Sequence, residues 1–211
     1  MARTKAAKTP PLPVPAVLLG ARTTPDVVEV PARSAVAIDG AGPPDDPGFQ
    51  AAMGALYGVA YGLKFARKPG GRDFRIGPLE GRWWAEGAPE GILLAPRDTW
   101  RWRLRIAVPD DVVEADVAAV VRAAVAKKGG KLEGSEEARR VALERIPATR
   151  AGRILHVGPY ATEPESFARM GEALAAAGLR RARPHVEIYL SDPRRSKAEA
   201  LKTVLLGEVE S

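Results

Sequence analysis

Residues 185–195 read HVEIYLSDPRR. With the period-two alternation of a strand, Val186, Ile188 and Leu190 fall on one face and His185, Glu187 and Tyr189 on the other, ahead of a turn at Asp192 and Pro193. An acid therefore stands between two rings. The apolar face is one a helix can cover, which leaves Glu187 facing either water or a cleft. A buried carboxylate costs several kcal/mol, roughly, unless a partner or a proton compensates it. In a cleft, then, an acid flanked by rings is a ligand site.

The first half of the chain repeats this arrangement. Residues 26–39 (DVVEVPARSAVAID) are rich in β-branched side chains and broken by Pro31, which reads as a bent or edge strand. A loop through residue 48 leads to Pro47, which opens a helix continuing to Lys68, with Phe49, Met53, Leu56, Ala60 and Leu63 along its apolar side. Tyr57 and Tyr61, four apart, lie together at the edge of that stripe. Residues 73–86 (DFRIGPLEGRWWAE) form a strand in which Gly77, Pro78 and Gly81 suggest a bulge. In residues 98–108 (DTWRWRLRIAV), Trp100, Trp102, Leu104 and Ile106 alternate with Arg101, Arg103 and Arg105. All four tryptophans fall on these two strands, more than a small core usually needs. A second amphipathic helix follows from Pro109 to Lys128, and GGKLEG (129–134) is the best internal boundary.

From there the pattern returns. Residues 139–157 give a strand containing Pro147, a helix spans 164–178, then come HVEIYLSDPRR and a last strand at 200–209. Pro47 and Met53 match Pro164 and Met170, each pair 117 positions apart, and PLEGRWW laid over HVEIYLS sets Glu80 on Glu187. The expected fold class is α+β, a tandem pseudo-two-fold β-α-β-β repeat with a central ligand groove. Its domains are a flexible N-terminal arm (1–25), repeat one (26–128) and repeat two (135–211).

Composition narrows the function. The 211 residues are 45% hydrophobic, with no run approaching a membrane span and prolines interrupting the only segment resembling a signal peptide. There are no cysteines, which removes thiolate nucleophiles, disulfides and thiolate metal sites and fits the cytoplasm. The net charge of +6 permits nucleic-acid binding, yet the arginines are scattered and no helix-turn-helix, zinc-finger or RNA-binding motif accompanies them. No GxSxG, HExxH, GxxxxGK or GxGxxG motif occurs in the required context. His156 and His185 lie on different strands, so no metal or other cofactor is expected. Arg194 and Arg195 read as a solvated turn before they read as an anion site.

Together, the segments VAIDGAGPPDDPGFQAAMGALYGVAYGLKF, PLEGRWWA, TWRWRLRI, ILHVGPY and HVEIYLSDPRR resemble the stand-alone GyrI-like small-molecule-binding proteins over roughly residues 26–206. That family's fold is also used by effector domains of multidrug-responsive activators, where a buried acid and aromatic rings hold planar cations. Some stand-alone members are cyclopropanoid hydrolases, which add water to the strained ring of DNA-alkylating natural products. The resemblance implies Glu187 as the key acid. It maps the ligand-binding set less directly onto Tyr57, Tyr61, Glu80, Trp84, Trp100, Trp102, Tyr160 and Tyr189. Arg82 stands where members often carry an apolar residue. The implied partner is a planar polycyclic small molecule, with no nucleic acid, membrane or protein partner indicated. Whether such a molecule is hydrolysed or only bound stays open from the sequence, as does whether Glu187 acts on the water or, protonated, on the carbonyl.

Overall fold

The computed structural model describes residues 9–85, 92 and 95–210. The first half runs through helix α1 (Ala16–Leu19), strands β1 (Asp26–Val30) and β2 (Arg33–Ala41), helix α2 (Pro47–Arg67), and strands β3 (Leu79–Ala85) and β4 (Trp100–Val108). Helices α3 (Glu114–Ala126) and α4 (Glu136–Arg140) then lead to strands β5 (Ala142–Ile146) and β6 (Thr149–Val157), helix α5 (Glu163–Ala176), and strands β7 (Arg180–Tyr189) and β8 (Lys202–Glu210). All described strands join one antiparallel sheet in the order β1-β6-β8-β7-β3-β4-β2-β5. The units β2-α2-β3-β4 and β6-α5-β7-β8 thus occupy opposite halves of an α+β fold, and β7 meets β3 at the centre.

Two prolines govern how the outer strands are shared. A proline cannot donate to a ladder, and at Pro31 and Pro147 the chain leaves one partner for another. Before Pro31, β1 pairs with β6 (Val30 opposite Thr149); after it, β2 pairs with β5 (Arg33 opposite Ile146). In a flat sheet β1 and β2 would be six strand spacings apart, about 29 Å at ~4.8 Å each. The three Cα steps from Val30 to Arg33 reach at most about 11 Å. The sheet must therefore curl until its ends meet. The boundary expected at 129–134 is accordingly one of sequence only, since β5 completes the first half and β1 the second.

Helices cover one face of the curled sheet. Asp46 caps α2 by accepting from the Gly48 amide at 2.6 Å, and Pro47 starts the helix. Phe49, Leu56, Val59, Ala60 and Leu63 then pack on Val36, Ile38, Trp83, Trp102, Leu104 and Ile106. On the other half, Met170 and Leu174 of α5 pack on Ile154 and Leu205. The helix expected from Pro109 begins only at Glu114, where Asp116 accepts from the Val113 amide.

The opposite face is covered by the stretch expected to be a flexible arm. Val14 and Leu18 are buried with Val30, Ala107, Ala151, Ile188, Val204 and Leu206, and Leu12 and Val17 pack around them. Pro10 and Pro11 accept hydrogen bonds from Arg75, whose segment lies extended beside the arm instead of joining the strand expected from residue 73. Prolines suit such an extended strap, because they give up no donor the sheet needs. Ile188 and Val186 on the apolar side of HVEIYL thus pack with the arm, Leu190 at its end being exposed, whereas helices flank the acidic side.

Candidate functional site

Residues directly opposite in an antiparallel pair share a face. Across the central seam Tyr189 faces Leu79, Glu187 faces Gly81 and His185 faces Trp83. On the other side of β7, Thr203 lies beside Tyr189 and Leu205 beside Glu187, with His156 beyond Thr203 on β6. All of these belong to the helix-bearing face. Since α2 covers the β3-β4-β2 half and α5 the β6-β8-β7 half, the seam between the helices is where Glu187 sits.

Both Glu187 oxygens are engaged. His185 Nε2 is 2.8 Å from Oε1, and the Tyr189 hydroxyl donates to Oε2 at 2.7 Å. Trp83 Nε1 in turn donates to the Tyr189 oxygen at 2.9 Å. Gly81 makes this possible: a Cβ there would stand 2.6 Å from Trp83 Nε1 and 3.0 Å from the Tyr189 hydroxyl. The bulge expected at Gly81 is not present; β3 keeps register, and the irregularity lies in β7 between Arg181 and His185. Burial and the Glu187 charge push the Tyr189 phenol well above its usual range, so it remains a donor.

Rings close the site from both sides. Tyr160 meets Tyr189 edge-on at 5.9 Å, and Phe167 of α5 meets the His185 ring edge-on at 4.6 Å. Trp83 stacks on Phe49 at 5.7 Å, and Trp100 meets it edge-on at 6.2 Å. Tyr57 lies half-buried on α2, its phenol raised mainly by burial and also by the charges of Tyr61 and Asp192. Tyr160 is raised by burial and by Glu163, Glu187 and Asp192. Tyr61 stacks on exposed Phe65 at the rim.

Three of the expected ligand residues lie elsewhere or serve otherwise. Glu80 points to the arm-bearing face, only 1% exposed, and pairs with Arg33 at 2.7 Å. Trp84 shares that face, opposite Arg101. The alignment placing Glu80 on Glu187 is one residue out of step with the sheet, and one residue exchanges faces. Trp102 keeps the helix-bearing face but is 2% exposed and packed edge-on against Phe49, a core role. His156 is structural: Nδ1 meets the Ser166 hydroxyl at 2.9 Å and Nε2 the Pro159 carbonyl at 3.1 Å, tying β6 to the start of α5.

Trp83, Phe167 and Glu163 were not singled out in the sequence. Glu163 opens α5 and is 5% exposed, and its Oε1 has no hydrogen-bond partner. Burial first, and then the charge of Glu187, push it up to about 9; Thr203 opposes this only weakly, its own hydroxyl also lacking a partner at ordinary geometry. Among the described residues, no group of three His, Asp or Glu side chains is arranged to hold a metal ion, and no helix is long and apolar enough to cross a membrane.

Comparison with known proteins identifies the fold and the family. Residues 105–206 match the model of the GyrI-like small molecule binding domain. An uncharacterized conserved protein from Listeria innocua superposes with a TM-score of 0.83 at 32% identity, over 93% of this chain and 97% of that one. A hydrolase from the same organism superposes with a TM-score of 0.80 at 30% identity, over 92% and 96%. The C-terminal domain of EcmrR, at 14% identity and a TM-score of 0.54 over 89% and 97%, shares the fold. None of the curated proteins matches the chain. With a matching domain model and end-to-end relatives at this identity, the chain belongs to the GyrI-like small-molecule-binding family.

Proposed function

We propose that the seam binds flat, largely apolar polycyclic molecules and adds water to a strained, electrophilic cyclopropane, detoxifying cyclopropanoid DNA alkylators. The observation that carries this reading is Glu187 itself, a carboxylate with a donor on each oxygen, set among aromatic side chains between two helices. The 30%-identical hydrolase lends it support.

The reaction needs little machinery. A flat molecule is held by ring contacts, each worth about 0.5–1.5 kcal/mol beyond burial. Each Glu187 oxygen retains a lone pair with which to take a proton from water, a contribution of about 10²–10⁴ in rate. The water oxygen bonds to the ring methylene, the cyclopropane carbon–carbon bond breaks, and its electron pair passes to the conjugated carbonyl, whose oxygen gains a proton to become a phenol. Strain supplies the driving force. The test is the rate at which a cyclopropane-containing alkylator disappears: wild type accelerates it, and Glu187→Gln folds normally without doing so. A wild-type rate equal to the buffer rate would refute the reading.

A second reading is a non-catalytic multidrug binder or sensor for planar cations. It is favoured by the fact that, among the described residues, no lysine or arginine pairs with Glu187, whose charge is free to meet a cation held over the rings. Recovery of bound dye unchanged, with quenched Trp fluorescence and no alkylator turnover, would select it.

A further inference from the structure

Glu163 differs from the other buried or partly buried carboxyls of the sheet, for Glu187 holds a hydrogen-bond partner on each oxygen. Glu80 has Arg33, and Glu144 has Arg103 and Arg105. Glu163 has no such cation, its Oε1 lacks any partner, and the neighbouring Thr203 hydroxyl, 1% exposed, lacks one too. The ionisable groups it interacts with are Glu187 and Tyr189 on β7 and Tyr160 before α5; His185 and His156 share the same sheet face. His185 is taken up by Glu187, and His156 by Ser166 and Pro159. Arg181, farther along β7, lies over the Phe167 ring at 4.9 Å. A buried carboxylate beside a second carboxylate, with no cation at hand, is resolved by a proton. The neutral carboxyl then owns an O–H donor that no hydrogen bond of ordinary geometry takes up, while Glu187, already holding two donors, can only accept.

Building on the reading above, we infer that Glu163 is the proton donor of the groove, acting opposite Glu187 on a carbonyl oxygen of the bound molecule. A carboxyl that keeps its proton, beside a second whose oxygens accept from two donors, can divide acid from base. In ring opening, Glu187 takes the proton of the attacking water. The electron pair of the broken carbon–carbon bond reaches the carbonyl oxygen, and Glu163 delivers its proton there. Exchange with solvent after product release returns one proton to Glu163 and removes one from Glu187. The ligand class this selects is a neutral planar ketone or dienone, its carbonyl directed toward α5.

The test uses fluorenone, a flat ketone that carries no cyclopropane to open, and reads its carbonyl stretch by infrared spectroscopy on the full-length protein. Bound to wild type, the stretch moves to lower frequency than in an apolar solvent. In Glu163→Leu the shift disappears, while Trp quenching shows the ketone still bound; Glu163→Gln, the fallback should Leu disturb folding, retains a smaller shift. With a cyclopropanoid substrate, Glu163→Gln lowers kcat about 10²–10⁴-fold and abolishes the alkaline fall in rate that wild type shows near pH 9. Fluorenone bound without a shift, or with the same shift in Glu163→Leu, would overturn the assignment and leave the proposed function standing. Failure of wild type to bind any planar ketone would overturn both.

Discussion

Tyr189 donates to Glu187 from two positions along the same strand, at 2.7 Å, while accepting from Trp83 across the seam. One hydroxyl thus fixes both the acid and the ring beneath it. Tyr189→Phe leaves the buried Trp83 N–H without an acceptor and Glu187 Oε2 without a donor, at about 1–3 kcal/mol for each group. We expect a folded protein, destabilised by about 2–6 kcal/mol in urea titration, that loses more than tenfold in turnover.

Glu80 and Glu187 belong to opposite faces, which separates their effects. Removing one member of a buried ion pair costs about 3–5 kcal/mol, so Glu80→Leu should lower stability by that order without changing ligand affinity. Replacing both members, as Arg33→Met with Glu80→Leu, should recover most of the loss, because packed apolar side chains need no compensation. Unfolding free energies and fluorescence titrations on the three variants check this.

The raised Glu163 carboxyl gives stability a definite pH dependence. Between its ordinary value of 4.5 and about 9 the folded state holds a proton that the unfolded state has released. Its contribution is therefore greatest below pH 4.5 and declines as pH rises toward 9, by up to about 1.4 kcal/mol per unit. Glu163→Gln should remove this slope, so the variant gains on wild type between pH 5 and pH 8. Urea unfolding of both proteins across that range measures the difference directly.

Leu18 is fully buried on the face away from Glu187. Leu18→Ala should cost about 2–5 kcal/mol and leave ligand affinity unchanged. A thermal melt distinguishes this from the negligible effect expected of a loose arm.

The acidic strand was legible because a period of two leaves only one choice of face for His185, Glu187 and Tyr189. The neighbouring tryptophans were not: Trp83 and Trp84 are the same residue type one step apart, and only pairing with β7 shows that Trp83 shares the face of Glu187. Glu80 was misplaced for the same reason. Glu163 escaped notice because an acid in the first turn of a helix ordinarily just complements the helix dipole, and its burial depends on the approach of Thr203 and Glu187 from other strands. The two β-α-β-β units were visible as helix spacing, but the exchange of β1 and β5 between halves rests on contacts more than a hundred residues apart. A run of prolines suggests mobility, and the apolar Val14 and Leu18 within it find their partners only once the sheet has curled.

The central claim is that Glu187 activates a water for addition to a strained ring. Incubating the protein with a cyclopropanoid alkylator in water enriched in heavy oxygen, and weighing the product by mass spectrometry, tests it most directly. The account predicts a ring-opened product carrying one heavy oxygen, formed rapidly by wild type and at the buffer rate by Glu187→Gln. Equal rates for the two proteins, or an alkylator recovered intact from wild type, would contradict it.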